Sequence, residues 1–271
     1  MPGVNNAQTI GGALSQWLEL HTLGRKPRSQ QFNKEIVEII RRQWPGWLNS
    51  PARIVTADDV TRFAKAVAHY CPSRWNAIVS ALQFITPAAR SLRRRPLRSK
   101  ERPLLNQLEF DGLCAELDRR RRSHAGLMIR FLAHTGLRIN EARQLLWRHV
   151  DADCFRVPGC ITKNGKARVI PFVNGIRETL ERLRLVSVGE FILPQSECQT
   201  SLRAACVRLK LPRLSHHDFR HLFATRCIQS GVDLPTVARW LGHSDGGALL
   251  ARTYYHLVDD HSRRMAAKVA I

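Results

Sequence analysis

The chain has 271 residues, enough to bury two cores of ordinary domain size. It is 44% hydrophobic and carries 43 Lys and Arg against 22 Asp and Glu, a net charge of +21. This composition excludes a disordered chain, and no apolar run approaches the roughly 20 residues that a membrane span requires. Residues 1–12 have neither the basic nor the apolar region of a secretory signal. We therefore expect a soluble, cytoplasmic protein with no membrane partner.

The basic excess lies on both halves of the chain. Residues 1–103 hold 17 basic and 6 acidic residues, and the remainder holds 26 and 16. This distribution favours a nucleic-acid grip by two domains, each adding phosphate contacts. A generally basic proteome would give the same total charge, so the charge alone does not decide the partner.

The seven cysteines contain no C-x-x-C pair, and their number is odd. Neither a disulfide framework nor a zinc site is favoured by this pattern. We expect buried free thiols, no metal site and no cofactor.

Helical spacing of apolar residues and capping signals predict four helices in the first part of the chain. They cover residues 8–22, 29–40, 56–70 and 72–84. Ser29 is a candidate cap of the second helix, and Thr56 with Asp59 resembles a capping box for the third. The expected core is Leu14, Trp17, Leu18, Ile36, Ile39, Ile40, Val60, Phe63, Val67, Trp75, Ile78, Leu82 and Phe84.

A basic segment follows this bundle. Residues 90–102 carry seven basic residues, one acid and one proline, with almost nothing to bury. The composition predicts an interdomain linker over 90–104 that lies along a phosphate backbone; a solvated connector is the alternative. The residues expected to contact DNA are Arg93, Arg94, Arg95, Arg98 and Lys100.

Three helices are predicted next, over residues 106–122, 124–135 and 137–150. Gly136 suits the left-handed C-cap of the second one. Arg138 lies in the first turn of the third helix, with Glu141 one turn further on. A side chain at a helix start can reach into a neighbouring cleft, so Arg138 is a candidate site residue.

The clearest β signal covers residues 155–172. Short strands are predicted over 155–157, 160–162 and 167–172, with a Pro-Gly turn and an Asn-Gly turn between them. Lys163 and Lys166 would then flank a hairpin tip.

The rest of the chain is predicted to be helical. Helices are expected over residues 176–186, 199–210, 217–230 and 233–241, followed by a helix that carries Tyr254 and a short helical tail over 259–271. Ser215, Gly231 and Asp233 are the expected capping residues.

The C-terminal half holds the groups that metal-free DNA strand cleavage requires: a nucleophile, positive donors to the phosphate oxygens and an acid for the leaving oxygen. His217 and Arg220 lie three residues apart on one helix face, His243 follows at a helix end, and Tyr254 comes eleven residues later. No H-E-x-x-H motif or carboxylate cluster of a metal nuclease is present in the sequence.

Five sequence boxes, spread over residues 105–257, carry a resemblance to the tyrosine recombinase, or phage integrase, family. Residues 135–141 (TGLRINE) resemble its first arginine box, and residues 162–171 its lysine-bearing hairpin. Residues 217–221 (HDFRH), 241–244 (LGHS) and 253–256 (TYYH) resemble its H-x-x-R, L-G-H and tyrosine boxes. Their occurrence in the family's order makes the resemblance specific.

The resemblance implies that Tyr254 attacks a DNA phosphate to form a 3′-phosphotyrosine, with His217 as its base and Lys163 as the acid for the 5′-oxygen. Three neighbours compete for these roles. His217 is favoured over His216 by its spacing to Arg220, and Tyr254 over Tyr255 by its spacing to His256. Lys166 is the alternative acid and otherwise a DNA contact.

The resemblance also implies that Arg138 and Arg220 bind the non-bridging phosphate oxygens and that His243 donates a further hydrogen bond. Glu141 and His221 are interpreted as residues that support these groups.

The resemblance implies a mainly α fold with a small antiparallel hairpin. We expect an N-terminal helical DNA core-binding domain over 1–89, the linker over 90–104 and a mixed α/β catalytic domain over 105–271. The expected partners are double-stranded DNA with a specific recombination site and further copies in a tetramer on that DNA. A monomeric type IB topoisomerase and a catalytically silent DNA-binding protein are the alternatives.

Overall fold

The computed structural model describes residues 8–97, 103–119, 124–194, 198–243, 247–248 and 251. The chain divides into two compact units, Met1–Lys100 and Glu101–Ile271. Each unit has a hydrophobic core of its own.

Within its described residues, the first unit is built from four α-helices: α1 (Ile10–Thr22), α2 (Pro27–Gln43), α3 (Ala57–Ala66) and α4 (Pro72–Ile85). The predicted capping box is confirmed: the Asp59 N–H donates to Thr56 Oγ1 at 3.2 Å, and the Thr56 N–H donates to Asp59 Oδ2 at 3.0 Å. The third helix ends earlier than residue 70, and α2 begins at Pro27, ahead of the expected cap Ser29.

Helices α1, α2 and α4 pack against one another around the core of this unit. Most of the expected core residues are buried, and Leu18 and Phe84 pack against the core while remaining partly exposed. The core gains Ile10, Val37, Val79 and Ile85, which lie at neighbouring helical positions.

The first residues of the expected linker are part of the first unit. Trp75 Nε1 donates to the Arg93 carbonyl at 3.0 Å, and the Arg95 N–H donates to Asn76 Oδ1 at 2.7 Å. The Arg95 guanidinium lies 4.1 Å from the Trp75 ring centroid, and its Nη1 donates to two carbonyls at the end of the α3 region. Residues 93–95 are thus held on α4 by hydrogen bonds from buried or partly buried side chains.

The second unit contains seven described α-helices and a two-stranded sheet. The helices are α5 (Gln107–Asp118), α6 (Ala125–Thr135), α7 (Ile139–Gln144), α8 (Ile176–Val186), α9 (Gln199–Arg208), α10 (His216–Gln229) and α11 (Leu234–Leu241). Helix α6 is buried along most of its length and packs against α5, α8 and α10. The mainly α architecture with a small antiparallel sheet is that expected from the sequence.

The sheet pairs β1 (Cys154–Val157) with β2 (Arg168–Pro171) in antiparallel register, with Phe155 opposite Ile170. The prediction of a strand over 160–162 was wrong: Gly159–Ile161 forms a 3-10 turn. An added Cβ at Gly159 would overlap the Gly165 carbonyl oxygen, so this turn packs closely on the returning chain. The two lysines of this region therefore lie in a ten-residue connection, not in a two-residue hairpin tip.

Helix α7 is much shorter than the predicted helix over 137–150. The chain becomes extended at Leu145, whose carbonyl accepts from the Ile192 N–H at 3.1 Å, and Leu146 forms an isolated bridge with Phe191. Leu145 is fully buried in this pairing. Tertiary pairing with residues 190–192 thus ends a segment whose apolar spacing is also compatible with a helix.

The seven cysteines are free thiols in different environments. Four are buried and Cys154 is half-buried, but Cys71 and Cys160 are exposed. The expectation of buried thiols was wrong for these two. Cys71 caps the exposed start of α4, and Cys160 lies in the 3-10 turn that precedes Lys163. In the part of the chain that the structure describes, no helix is long and apolar enough to cross a membrane.

Candidate active site

Arg138 lies where two helices meet. Helix α6 ends at Gly136, which has the left-handed conformation (φ 62°), and Arg138 is the residue that precedes α7. Its N–H donates to Glu141 Oε2 at 3.2 Å, and its Nη1 donates to Glu141 Oε1 at 2.8 Å. The carboxylate therefore fixes both the start of the helix and the direction of the arginine side chain.

Arg220 is buried in α10 and joins two helix ends. Its Nη1 donates to the Gly136 carbonyl at 2.8 Å and its Nη2 donates to the Leu241 carbonyl at 2.7 Å. Both acceptors lie at helix C-termini, where carbonyls lack partners within the helix and the helix dipole favours a cation. These two bonds bring the arginine box, the H-x-x-R box and the L-G-H box into one cluster.

His243 follows the end of α11. Gly242 has the left-handed conformation (φ 68°), and the His243 N–H donates to the Ala238 carbonyl at 2.9 Å. This is the hydrogen bond of a Schellman helix end, which sets the direction in which the chain leaves the helix. His243 is half-buried and lies two residues after Leu241, whose carbonyl accepts a hydrogen bond from Arg220.

The structure separates the two adjacent histidines at the start of α10. His217 is exposed, and its ring lies 4.8 Å from the His221 ring in an edge-on arrangement. His216 is half-buried, and its Nε2 lies 2.9 Å from the thiol sulfur of Cys198. The side chain of His216 is therefore directed at the start of α9, whereas that of His217 is exposed beside His221; His217 remains the predicted site residue.

A capping box fixes the start of α10. Both the N–H and the hydroxyl of Ser215 donate to Asp218 Oδ2, each at 2.7 Å. The predicted cap is confirmed, and the first turn that carries His217 is held in place by a buried carboxylate.

Lys163 and Lys166 are both exposed in the connection between the strands. Thr162 is buried beside them, and its hydroxyl contacts the carbonyls of Gly159 at 2.9 Å and Lys166 at 3.2 Å. The base of the loop that carries the two lysines is therefore anchored.

Arg168 was missed in the sequence. It lies on β2 with its side chain only 5% exposed, and its Nη2 forms an ion pair with Glu141 Oε2 at 2.6 Å. Its Nε donates to the Trp240 carbonyl at 2.7 Å. The signal was the strand alternation, which places Arg168 on the buried face that Ile170 also occupies.

Two cations surround the Glu141 carboxylate, whose side chain is 2% exposed. Burial by itself raises the pKa of this carboxyl, but the hydrogen bonds and charges of Arg168 and Arg138 outweigh burial and hold the pKa below its ordinary value. Glu141 is therefore an anion between two arginines at neutral pH.

Some predicted residues lie outside the described part of the chain: Tyr254, its competitor Tyr255, Arg98 and Lys100. Arg93 and Arg94 are exposed, whereas the Arg95 side chain is engaged with carbonyls and a tryptophan of its own unit.

The described site residues comprise two arginines and a histidine connected through the ends of α6 and α11, a second histidine in the first turn of α10, and an exposed lysine in the connection between β1 and β2. Guanidinium groups held in fixed directions bind the oxygens of a phosphate in a bidentate manner. Among the side chains that the structure describes, no group of three His, Cys, Asp or Glu is arranged to hold a metal ion. The sequence boxes that carry these residues occur in the order expected of the tyrosine recombinase class, whose members cleave and rejoin DNA strands.

Comparison with known proteins agrees with this class. The phage integrase family model matches residues 105–261, more than half of the chain. The chain belongs to the phage integrase family.

Curated relatives carry tyrosine recombinase names. Tyrosine recombinase XerA of Saccharolobus solfataricus is 26% identical across 95% of this chain and 88% of that protein. Tyrosine recombinase XerC of Pseudomonas putida strain W619 is 34% identical across 47% of this chain and 46% of that protein.

Solved structures share the fold across both units. The Tn1549 transposon integrase, solved with circular intermediate DNA, has a TM-score of 0.74 at 14% identity, covering 96% of this chain and 99% of that one. A lambda integrase tetramer bound to a Holliday junction gives 0.73 at 18% identity, covering 90% of this chain and 80% of that one.

Proposed function

We propose that this chain is a site-specific recombinase that cuts and rejoins DNA strands through a 3′-phosphotyrosine intermediate. The observation that carries the proposal is the pair of hydrogen bonds from the buried Arg220 to the carbonyls of Gly136 and Leu241. Arg138 lies two residues after Gly136, and His243 lies two residues after Leu241. The two bonds of Arg220 therefore connect it to the segments that carry both residues.

Arg138 and Arg220 bind the non-bridging oxygens of the scissile phosphate, and His243 donates a further hydrogen bond. These donors act on charge that grows as the phosphorus becomes five-coordinate, so they stabilise the transition state more than the ground state. Replacing any one of them lowers the cleavage rate by about 10² to 10³.

Tyr254 supplies the nucleophile. Its oxygen forms a bond to phosphorus while the bond from phosphorus to the 5′-oxygen breaks, which leaves the 3′-phosphate on the tyrosine. His217 accepts the hydroxyl proton, and Lys163 gives a proton to the departing 5′-oxygen. The phosphotyrosine keeps the phosphoester bond, so a different 5′-hydroxyl can reverse the step without an energy source.

Duplex DNA with a specific recombination site is the proposed partner, acted on in the cytoplasm by a tetramer of this chain. The solved integrase complexes with DNA, and the lambda integrase tetramer among them, support this part of the proposal. Residues 1–89 form a helical DNA core-binding domain and residues 105–271 the catalytic domain. The exposed Arg93 and Arg94, in the segment that packs on α4, contact phosphates. The charge excess on both halves supports a grip by two domains.

The test uses a nicked suicide duplex that carries the cognate site, which is first identified by sequencing DNA trapped covalently in cells. The wild-type protein should form a covalent adduct with the 3′ end, and Tyr254→Phe should not. Tyr255→Phe is the matched control and should retain the adduct. An adduct formed by Tyr254→Phe and lost in Tyr255→Phe would assign the nucleophile to Tyr255.

Two further outcomes would replace the proposed function. Relaxation of plasmids with no sequence requirement would favour a type IB topoisomerase. A wild-type protein that binds its selected site and forms no adduct would be a catalytically silent DNA-binding protein.

The role of Lys163 is tested by changing the leaving group. A 5′-bridging sulfur leaves without a proton, so it should restore cleavage to Lys163→Ala but leave Arg220→Ala slow. Lys166→Ala is the matched control and should cleave the ordinary duplex at the wild-type rate. Failure of the sulfur to restore Lys163→Ala, with Lys166→Ala slow, would move the acid to Lys166.

A further inference from the structure

Arg168 touches two different parts of the site. From β2 its Nη2 reaches Glu141 Oε2 at 2.6 Å and its Nε reaches the Trp240 carbonyl at 2.7 Å. One contact is on α7 and the other is at the end of α11. A single guanidinium therefore ties the strand to two helix ends.

Arg138, Arg220 and His243, the groups proposed to bind the scissile phosphate, are called the phosphate clamp. Each partner of Arg168 is connected to one of the clamp arginines. The second oxygen of Glu141 accepts from Arg138 Nη1 at 2.8 Å. The residue after Trp240 is Leu241, whose carbonyl accepts from Arg220 Nη2 at 2.7 Å. Arg168 is thus connected to Arg138 through Glu141, and to Arg220 through the adjacent carbonyls of Trp240 and Leu241.

The same guanidinium packs against the turn that carries His243. A Cβ added at Gly242 would lie 3.0 Å from Arg168 Nη1 and 3.2 Å from its Cζ. A side chain at residue 242 would therefore require Arg168 to shift by a few tenths of an ångström. The position of the turn and the position of Arg168 depend on each other.

Simple packing does not account for a charge at this position. Burial of a guanidinium is costly, and Arg168 Nη1 is buried with no hydrogen-bond acceptor among the residues that the structure describes. An apolar residue on the face shared with Ile170 would avoid that cost. The two acceptors that Arg168 binds, the Glu141 carboxylate and the Trp240 carbonyl, explain why an arginine occupies this buried position.

We propose that Arg168 is a positioning residue for the phosphate clamp. It acts through Glu141 on the direction of Arg138 and through the end of α11 on the turn of His243, without touching DNA. This inference rests on the proposed function, because it assigns a role in strand cleavage.

The test compares Arg168→Met with Arg156→Met in single-turnover cleavage of the nicked suicide duplex at saturating protein. Arg156 lies on the paired strand and is exposed, so it supplies the same charge change in the same sheet. Arg168→Met should cleave about 10²-fold more slowly, the loss expected when one phosphate donor is misplaced. Its DNA affinity should stay within about threefold of wild type because no phosphate contact is removed. Arg156→Met should cleave at the wild-type rate.

A methylphosphonate at the scissile position separates positioning from general damage. It replaces one anionic oxygen by a methyl group and so reduces the demand for a correctly placed Arg138. The deficit of Arg168→Met relative to wild type should shrink to less than about tenfold on this substrate. An equal deficit on both substrates, or a wild-type rate on the phosphodiester, would overturn the inference.

Arg168→Met leaves the buried Glu141 carboxylate with one partner fewer, which favours misfolding of that variant. Glu141→Gln removes the buried charge itself and serves as the second variant. Glu141→Gln and the double variant with Arg168→Met should each show the same substrate dependence. The double variant should be no slower than the slower single variant, because both changes break one chain of contacts. Rate losses that multiply would overturn the inference. A wild-type protein without any adduct would instead overturn the proposed function, and this inference with it.

Discussion

Gly242 combines a left-handed backbone with a close neighbour. An alanine at this position pays the strain of φ 68° and also pushes its Cβ against Arg168, which two hydrogen bonds hold in place. Gly189 provides a matched control, because it has φ 72° and no atom within 4 Å of an added Cβ. Each alanine variant should lose about 1 kcal/mol of stability to backbone strain, measured by urea unfolding.

Only the Gly242→Ala variant should also lose catalysis. We expect single-turnover cleavage about tenfold slower than wild type, with Gly189→Ala unchanged, since His243 follows the strained position directly. Equal cleavage rates in the two variants would show that the turn tolerates displacement of Arg168.

His134 predicts a pH dependence of stability. Burial, with the nearby positive charges of Arg226 and Arg130, holds the pKa of His134 below its ordinary value, while Glu178 on α8 opposes the shift. The unfolded chain therefore binds the proton more readily, so the contribution of this residue to stability is complete above pH about 6.5 and decreases as the pH falls below it.

Thermal unfolding at pH 7.5 and pH 5.5 measures this effect. The midpoint of the wild-type protein should fall more between the two pH values than that of His134→Gln, whose side chain stays neutral. A larger fall in the variant would mean that the protonated imidazole is stabilised in the fold.

Individual residues were predicted where the chemistry restricts the residue type. The two arginines and the choice of His217 over His216 follow from spacing and remain predictions; the structure adds that His216 contacts Cys198. Arg168 was not predicted because its role depends on partners that are far away in the sequence. Only its inward position in a strand was visible beforehand.

Elements were predicted best where a residue at a helix end caps that helix. The capping box at Thr56, the glycine at 136 and the cap at Asp233 are local interactions, and the structure contains all three. The short α7 and the 3-10 turn at residues 159–161 were not predicted, because pairing with a distant segment and close backbone packing decide them.

The contacts of Arg95 on the surface of α4 predict that this residue contributes to stability. Its guanidinium stacks on Trp75 and bonds to the carbonyls of Ala68 and Tyr70, so Arg95→Ala should destabilise the protein by about 1 to 3 kcal/mol. The exposed neighbour is the control: Arg94→Ala should change stability by less than about 0.5 kcal/mol. Equal stabilities of both variants in urea unfolding would contradict the structural role of Arg95.

The whole molecule carries its charge excess on both halves, which predicts a steep salt dependence of DNA binding. Replacing Arg93 and Arg94 by alanine should weaken binding by the same factor on every sequence and lower the slope of log K against log salt by about 1 for each lost phosphate contact. Fluorescence anisotropy on the cognate duplex and on an unrelated duplex checks both expectations. An unchanged slope would place the two arginines away from the DNA.

The two halves of the molecule differ in how far their sequences identify them. Residues 105–261 carry boxes of residue types that the reaction demands, and the family match covers the same region. The first unit requires only apolar residues at helical spacing, so its sequence predicts a helical bundle and nothing more specific. Its likeness to known recombinases is seen in whole-chain comparisons: the Tn1549 integrase shares the fold over 96% of this chain, and XerA is 26% identical across 95% of it.

The central claim is that one tyrosine becomes joined to DNA, and mapping the trapped adduct tests it most directly. The wild-type protein is trapped on the nicked suicide duplex and digested with nuclease and protease, and the nucleotide-bearing peptide is sequenced by mass spectrometry. We predict a nucleotide joined through its 3′-phosphate to Tyr254. A modification on any other residue, or cleaved DNA with no modified peptide, would contradict the account.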